Sequence, residues 1–352
     1  MKLHSVGQPA TSWLIMFAAA VVLIVALPPQ TVQAQGKKAS HKERTAFASH
    51  TLWSDPGAIQ SRDLLYGPGS RDLAPVPPFT FVKEDKAGES PKLDVRDGRG
   101  VLWSVKLGEE AQSETAATRL VWAVGYFAEE AYYFENVKIR KLPKHLSRGD
   151  EHVAPGNVLV GVRFEPRRSH IERDDTWDWD KNPFKDTKQL SGLKILMILL
   201  NNFDARAANN RILYDKHSTQ REARYYVTDL GATLGRAGGL GGKRTKNNLE
   251  DFLSTRFVLG VEDGAVEFDY DTRPSKLGHL SVLYPPYYVG EVKKEKSMRG
   301  IPVEHARWIG GLLTQLTDEQ LHDAFRAANY DKEIREGYVR SLRMRIDQLA
   351  RL

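Results

Sequence analysis

The sequence predicts one bilobal α+β domain, with a strand-rich first half and a mainly helical second half. Between residues 79 and 166, five short runs are rich in β-branched and aromatic residues, and turn-forming stretches such as GRG separate several of them. A longer run at residues 109–130 repeats its apolar residues every three or four positions, which is typical of a helix. The same helical spacing returns near the C-terminus. The first half therefore reads as three strands, a helix and two strands.

The elements of the first half follow from these patterns in order. Ala117, Leu120, Val121 and Val124 share one face of the helix predicted at residues 109–130. The predicted strands are FTFVKED (79–85), KLDVRD (92–97), VLWSVKLG (101–108), AYYFENVKIR (131–140) and NVLVGVRFEP (157–166).

The second half begins with a stretch that is apolar on all sides, SGLKILMILLNNF (191–203), which predicts a helix buried in a core. RILYD (211–215) and RYYVTD (224–229) then predict a short hairpin. Thr317 and Gln320 predict a capping box at the start of a C-terminal helix. Two further helical stripes are predicted, one at Ile309, Leu312, Leu313 and Leu316 and the other at Tyr338, Leu342, Ile346 and Leu349.

The N-terminus has the pattern of a secretory signal peptide, predicted at residues 1–34. A weakly basic start precedes the apolar run at 14–27, and small residues stand near a cleavage site after Ala34. A membrane span needs about 20 apolar residues, so this run is short for one. An uncleaved anchor remains the alternative. We expect an exported chain, periplasmic or secreted, without stable membrane insertion if the peptide is cleaved. Residues 35–78, rich in Gly, Pro, Ser and charged residues, predict an extended, partly ordered leader, and residues 79–352 the domain proper.

Composition excludes several classes of protein. The chain has no cysteine, so disulfides, Cys-ligated metals and thiol-linked lipids are excluded. The formal net charge is +6. Its basic clusters, such as GKKASHKER and GGKRTK, lack interleaved aromatic residues, so we expect no nucleic-acid partner.

The order of polar residues along these elements matches the needs of phosphoryl transfer from ATP. That reaction requires a cation on the nucleotide phosphates, oxygen ligands for Mg²⁺, and a carboxylate beside the attacking hydroxyl. Lys106 ends a predicted strand, and Glu114 follows eight residues later in the first turns of a helix. Asp204 comes after the buried helix, Asn209 five residues later, and Asp229 opens an Asp-Leu-Gly turn at a strand end.

This arrangement resembles the protein-kinase-like fold, with Asp-x-x-x-x-Asn as catalytic loop and Asp-x-Gly as metal-binding turn. The short interval from Lys106 to Glu114 is more similar to the HipA-type and phosphatidylinositol-kinase-like branch. Export is shared with secretory-pathway kinases and spore-coat CotH kinases. The resemblance spans roughly residues 79 to 260 and implies a strand-rich N-lobe (about 79–166) and a helical C-lobe (about 167–352). Asn202 and Phe203 stand where many kinases have His-Arg.

The resemblance implies a role for each candidate residue. Lys106 would bind the phosphates of ATP with Glu114 as its partner, and Asp204 would be the catalytic base. Asn209 and Asp229 would be the Mg²⁺ ligands. Arg206 could neutralise the charge of a transferring phosphate. KAGES (86–90) lies where a nucleotide-covering loop belongs, and the glycine-rich stretch after Asp229 predicts a loop that could cover the site.

The expected partners are a nucleotide and a hydroxyl acceptor that the sequence does not identify: protein, glycan or lipid. The alternatives are a non-catalytic exported protein of the same fold that binds an envelope ligand, transfer of AMP instead of phosphate, and a structural envelope protein in which the spacing is coincidental. Trp177 and Trp179 stand among acidic residues. They could stack on a sugar or close the interface between the two halves, and the second reading is favoured.

Overall fold

Strands dominate the first half of the chain and helices dominate its C-terminal part. The computed structural model describes residues 47–88, 90–238, 243–272 and 285–352. The strands are β1 Ser49–Thr51, β2 Phe79–Asp85, β3 Lys92–Arg96, β4 Leu102–Leu107, β5 Tyr132–Arg140, β6 Val153–Ala154, β7 Val158–Pro166, β8 Ile171–Arg173, β9 Asn210–Asp215, β10 Glu222–Val227, β11 Val258–Glu262, β12 Ala265–Phe268 and β13 Ile301–Pro302. The helices are α1 Glu110–Ala123, α2 Lys188–Leu199, α3 Leu249–Leu253, α4 Pro285–Ser297, α5 Val303–Leu313, α6 Asp318–Arg326 and α7 Lys332–Ala350.

The five strands predicted between residues 79 and 166 are confirmed, and they form one sheet. Its order is β2–β3–β4–β7–β5, with β6 beside β7. A short parallel pairing of β5 with β2 closes the sheet on itself. β4 is flanked by β3 and β7 in antiparallel pairings, so the strand that carries Lys106 is not an edge strand.

The two faces of this sheet have different chemistry because successive side chains of a strand point to opposite faces. On β4, Trp103, Val105 and Leu107 are buried in a hydrophobic cluster formed within residues 79–164, which we call the sheet core. Lys106 lies between two of them in sequence and therefore on the other face. β7 has the same alternation, and its Arg163 pairs in register with Lys106. The sheet thus places two buried cations side by side.

Helix α1 is shorter than predicted and packs away from the sheet core. Its apolar residues, Leu120 and Val121 among them, belong to a second, larger cluster, the helical core, built mainly from the C-terminal half. The helix ends at Ala123 rather than near residue 130. Gly125 follows with φ +97°, and a Cβ there would lie 2.3 Å from the main-chain oxygen of Ser54. A glycine in this conformation ends the helix.

Residues 47–78 differ from the predicted extended leader. Leu52, Ile59 and Leu64 are buried in the helical core, and β1 pairs in parallel with β10. The side chain of Gln320 donates hydrogen bonds to the main-chain oxygens of Ile59 (2.7 Å) and Arg62 (2.8 Å). A composition rich in Gly, Pro and Ser indicates irregular backbone, but it does not show whether the few apolar residues between them pack. The described residues from 47 onwards therefore belong to one compact unit.

The predicted elements of the second half are present. α2 is the buried helix before Asp204, β9 and β10 form the hairpin, and the capping box of Thr317 and Gln320 is formed at the start of α6. A small sheet of β11, β12 and β13 was not predicted. Trp177 and Trp179 are each only 3 % exposed and lie within the helical core. Burial on this scale rules out a sugar stacked on their faces.

The capping box gives a test of this part of the fold. Thr317→Ala removes the oxygen that accepts the Gln320 backbone N–H, at 3.1 Å, and we expect a loss of about 1 kcal/mol of unfolding free energy by urea titration. Thr314→Ala is the matched control, since the exposed Thr314 hydroxyl, directly after α5, donates to the main-chain oxygen of Gly311 in that helix. Equal losses from both variants would contradict a specific capping contribution.

Three sequence predictions fall outside the described residues. These are the signal peptide, the first part of the leader segment, and the central glycines of the stretch after Asp229. Among the helices of the described ranges, none has both the length and the apolar character needed to cross a membrane.

Candidate functional site

Lys106 lies at the centre of a group of charged side chains that we call the lysine cluster. It comprises Lys106, Glu110, Glu114 and Asp229. The Lys106 Nζ lies 2.7 Å from Glu110 Oε2, 3.0 Å from Glu114 Oε2 and 2.5 Å from Asp229 Oδ1, and only 2 % of the lysine side chain is exposed. Burying an ammonium group costs free energy unless it is paired and hydrogen-bonded. The three carboxylates meet that requirement, and they outnumber the cation of the cluster by two charges.

Helix α1 supplies two of these carboxylates. Glu110 and Glu114 are four residues apart and so lie on one face of the helix, which faces Lys106. Glu110 also accepts hydrogen bonds from Ser90 Oγ (2.9 Å) and Lys246 Nζ (2.8 Å). Ser90 is the last residue of KAGES, and Lys246 follows the glycine-rich stretch. KAGES therefore touches the lysine cluster through Ser90, and the chain directly after the glycine-rich stretch touches it through Lys246.

Asp229 reaches the cluster from the turn after β10. Its φ is +57°, in the left-handed region that Asp and Asn adopt more readily than most residues. Two residues on, Gly231 lies against α1, where a Cβ would be 2.5 Å from that of Glu110. Ser113 Oγ donates to the Gly231 oxygen at 2.7 Å. The turn is thus fixed to α1 by a close approach that only glycine permits.

Asp204, Arg206 and Asn209 form a second group in the loop after α2. Asn209 Nδ2 donates to both the main-chain oxygen and Oδ2 of Asp204, at 2.8 Å each. Arg206 lies against the same carboxylate, with Nε 2.5 Å from Oδ1 and a terminal nitrogen 2.7 Å from Oδ2. The guanidinium predicted to face a transferring phosphate therefore pairs with the predicted base in this structure.

Backbone hydrogen bonds join the two groups. Thr228, the residue before Asp229, donates from both its N–H and its hydroxyl to the main-chain oxygen of Asn209, at 2.8 Å each. Phe203 N–H donates to the Ala232 oxygen at 3.2 Å. The loop of Asp204 and the turn of Asp229 are consequently held side by side. All six residues singled out in the sequence lie in this one region.

The donor set of Asn209 and Asp229 fits a hard divalent cation. Because Asn209 Nδ2 faces Asp204, its Oδ1 is the atom of that amide left for a cation, and 43 % of the Asp229 side chain is exposed. Mg²⁺ prefers oxygen ligands and commonly takes few from protein and the rest from phosphates and water. Within the described ranges no group of three or more His, Asp or Glu side chains could hold a metal by itself. Phosphate oxygens and water would have to complete the coordination.

The electrostatics keep Lys106 and Glu110 ionised. Burial disfavours the ammonium of Lys106, but the carboxylates of Glu114, Asp229 and Glu110 outweigh it and raise the pKa of Lys106 above its usual value. Burial likewise disfavours the carboxylate of Glu110, yet the nearby Lys106 lowers the pKa of Glu110 to about 2. Lys106 is therefore a permanent cation, as phosphate binding requires.

Sequence reasoning missed Glu110 and Arg163. A second acidic residue at the start of α1 was visible in the sequence, and helical spacing puts it on the face of Glu114. Arg163 is fully buried, with its Nε 3.4 Å from Glu114 Oε2. The sequence showed it merely as an arginine within the apolar run of β7. Its contact with Glu114 depends on the register between β4 and β7.

A cavity of about 880 Å³ lies elsewhere, between the end of β7, the segment at 127–130 and the β9–β10 hairpin. None of the six predicted residues lines it. Aromatic residues such as Phe127 and Tyr226 and ion pairs such as Arg168 with Glu130 form its walls. This cavity is therefore separate from the six predicted residues.

Comparison with known proteins adds little to this geometry. No family model matches the chain. No curated protein matches it in sequence. Among solved structures, the chain is similar to the crystal structure of the Helicobacter pylori proinflammatory kinase CtkA, with 14 % sequence identity and a TM-score of 0.44. The similarity covers 77 % of this chain and 96 % of that one. A TM-score this low carries no argument, so the proposals below depend on the residues themselves.

Proposed function

We propose that this chain is an exported, ATP- and Mg²⁺-dependent phosphotransferase with a bilobal kinase-like fold. The observation that carries the proposal is the contact of Lys106 with Glu114 and with Asp229, at 3.0 and 2.5 Å. The three residues come from a strand, a helix and a distant turn. A buried ammonium held between a helix carboxylate and an exposed carboxylate suits a site that binds phosphates beside a metal ion.

Each residue has a defined part in this proposal. Lys106 donates to phosphate oxygens while Glu114 holds it in place. Asp229 and the Asn209 Oδ1 hold Mg²⁺, which supplies charge neutralisation on the phosphates. Asp204 orients an acceptor hydroxyl and takes its proton. A protein, a glycan or a lipid headgroup could provide that hydroxyl.

One observation favours the non-catalytic alternative. Both oxygens of Asp204 contact Arg206 in this structure, so the predicted base is engaged by a cation. A protein that binds nucleotide without transferring phosphate could keep this pair permanently. A transferase would have to move the Arg206 guanidinium away from Asp204 when the acceptor binds. The Asp204 variant described in the Discussion separates the two.

Export is part of the proposal and depends on residues 1–34. It raises a question of nucleotide supply, because ATP is scarce outside the bacterial cytoplasm. The enzyme would then use locally released nucleotide or act in a eukaryotic lumen. Detection of the processed chain outside the cytoplasm by mass spectrometry of its N-terminus would support export. A chain retained in the cytoplasm with an intact N-terminus would contradict it.

The direct test is thermal unfolding with and without Mg-ATP. A ligand at a hundred times its dissociation constant adds about 2.7 kcal/mol of stability, which should raise the midpoint by about 5 °C. In Asp229→Asn, which keeps a residue suited to φ +57°, we expect this rise to disappear. Glu172→Ala removes an exposed carboxylate of β8 and should keep the parental response. A parent without any metal-dependent shift would exclude nucleotide binding at this site.

A further inference from the structure

Two cations lie side by side beneath helix α1. Lys106 on β4 and Arg163 on β7 are directly opposite each other in an antiparallel pair, so their side chains leave the same face of the sheet. Both are almost fully buried. Like charges placed in this way destabilise a sheet unless an anion lies between them. The Oε2 atom of Glu114 is that anion, 3.0 Å from Lys106 Nζ and 3.4 Å from Arg163 Nε.

Arg163 is itself anchored from its far side. A terminal nitrogen of Arg163 donates to Glu165 Oε2 at 3.1 Å. Arg173 contacts the other oxygen of Glu165 and also lies 2.6 Å from Glu129 Oε1. Basic and acidic side chains therefore alternate from Lys106 to Glu129. This series, which we call the charge ladder, runs Lys106, Glu114, Arg163, Glu165, Arg173, Glu129.

The charge ladder keeps Arg163 and Glu165 ionised. Burial disfavours the guanidinium of Arg163, but Glu114 and Glu165 outweigh it and raise the pKa of Arg163 above its usual value. Burial disfavours the carboxylate of Glu165, yet Arg163 and Arg173 lower the pKa of Glu165 to about 2. The Arg163 guanidinium beside Glu114 is thus a cation at neutral pH.

Arg163 could donate more hydrogen bonds than it does in this structure. Within the described part of the chain its Nε and one terminal nitrogen have no hydrogen-bond partner. The contact of Nε with Glu114 is ionic, at a distance slightly beyond a good hydrogen bond. A small movement of the Glu114 carboxylate towards β7 would complete that bond. The Glu114 carboxylate can therefore lie closer to Lys106 or closer to Arg163.

We propose that Arg163 is a positioning residue of the nucleotide site, acting through Glu114 on Lys106. When phosphates attract the Lys106 ammonium and a metal attracts Asp229, the ion pair between Lys106 and Glu114 weakens. Arg163 then holds the Glu114 side chain in place through their ionic contact, so that Lys106 stays directed at the phosphates. The inference rests on the proposed function, because it concerns the same site.

The test compares Arg163→Met with Arg163→Lys in the full chain. Met removes the charge and keeps much of the volume, whereas Lys restores a cation. The measurements are KM and kcat for Mg-dependent ATP hydrolysis, with water as acceptor, and the Mg-ATP-induced rise of the thermal midpoint. Loss of a residue that orients a ligand-binding group typically costs 10- to 100-fold. We expect Arg163→Met to raise KM by about that factor and to shrink the thermal rise, and Arg163→Lys to recover most of both.

Arg168→Met is the matched control. Arg168 pairs with Glu130 through three short contacts and stands outside the charge ladder, so this variant should keep the parental KM. A second experiment tests whether Arg163 acts through Glu114. In a Glu114→Gln background, Arg163→Met should add no further increase in KM, because the two residues act in one path.

The outcomes distinguish this inference from the proposed function. A parent that shows no metal-dependent response to ATP overturns the proposed function, and this inference with it. A responsive parent with an Arg163→Met variant of parental KM and thermal rise overturns the inference alone. Equal impairment of the Met and Lys variants would also overturn it, because the positive charge at position 163 would then not account for the effect. Additive effects on KM in the Glu114→Gln background would overturn it as well, because Arg163 would then not act through Glu114.

Discussion

Asp204→Asn should reduce phosphotransfer by about 10²- to 10³-fold while Mg-ATP binding persists, because general base catalysis typically contributes 10²- to 10⁴-fold. The Asn209 amide and the Arg206 guanidinium hold the carboxylate in place, and an asparagine keeps one oxygen for these donors. The readout is kcat for Mg-dependent ATP hydrolysis, with self-phosphorylation measured by mass spectrometry, beside the thermal shift with Mg-ATP.

Arg206→Gln is the companion variant, since it removes the cation that engages Asp204. If Arg206 stabilises the transferring phosphate, as the sequence suggested, kcat falls and the thermal shift stays. If Arg206 only blocks the base, kcat rises. An Asp204→Asn variant with parental kcat would mean that Asp204 is not the base. A parent that binds Mg-ATP but transfers no phosphate would favour the non-catalytic alternative.

Much of the candidate site could be predicted because its residues lie close to element boundaries. Lys106 and Glu114 are separated by one strand end, one turn and one helical turn, so local patterns alone place them near each other. Asp204 and Asn209 share a single loop, and Asp229 follows a strand whose hairpin partner begins beside Asn209. These contacts depend on short-range geometry that alternation and helical spacing describe well.

Other contacts could not be predicted because they depend on register and long-range packing. Arg163 meets Glu114 only because β7 pairs with β4 so that residue 163 opposes residue 106. A shift by one position would turn Arg163 into the sheet core. The ordered segment at 47–78 is another case, since Leu52 and Ile59 pack against residues far along the chain. Periodicity over a few residues contains no information about such partners.

The small sheet of β11, β12 and β13 was missed for a different reason. Its strands are short, and β11 is exposed along most of its length. A strand without a buried face shows no alternation of apolar and polar residues, and alternation is the signal on which strand prediction depends. Strands β4 and β7 do have a buried face and show this alternation, so their ends were predicted nearly correctly.

Lys106→Met should produce the largest loss of stability among single substitutions in the site, about 3 kcal/mol by urea titration. Removing one partner of a buried ion pair commonly costs about 3–5 kcal/mol, because a buried charge loses its compensation. We expect the lower end of that range. Asp229 is partly exposed, and Glu114 and Glu110 keep Arg163 and Lys246 as partners. The same variant should lose the thermal response to Mg-ATP.

Lys246→Met is the matched control for Lys106→Met. Among the residues that the structure describes, its ammonium pairs with Glu110 alone and is about one-third exposed, and exposed pairs are worth about 1 kcal/mol or less. If Lys246→Met lost as much unfolding free energy as Lys106→Met, the prediction that the buried ion pairs of Lys106 contribute more to stability would be wrong. Loss of the Mg-ATP response in Lys106→Met with unchanged stability would mean that the carboxylates around it are hydrated rather than buried.

The stability difference between the parent and Lys106→Met should also depend on pH. Glu110 has a folded-state pKa of about 2, below its ordinary value of 4.5, chiefly because Lys106 outweighs the effect of burial. A carboxyl whose pKa is lowered by folding adds stability that is present above 4.5 and is lost as the pH falls through 2. The Lys106→Met variant lacks this stabilisation by Glu110 at neutral pH. We therefore expect the difference in unfolding free energy to narrow between pH 4.5 and pH 2, measured by urea titration at each pH. A difference that stays constant over this interval would show that Lys106 stabilises the fold by packing rather than by charge.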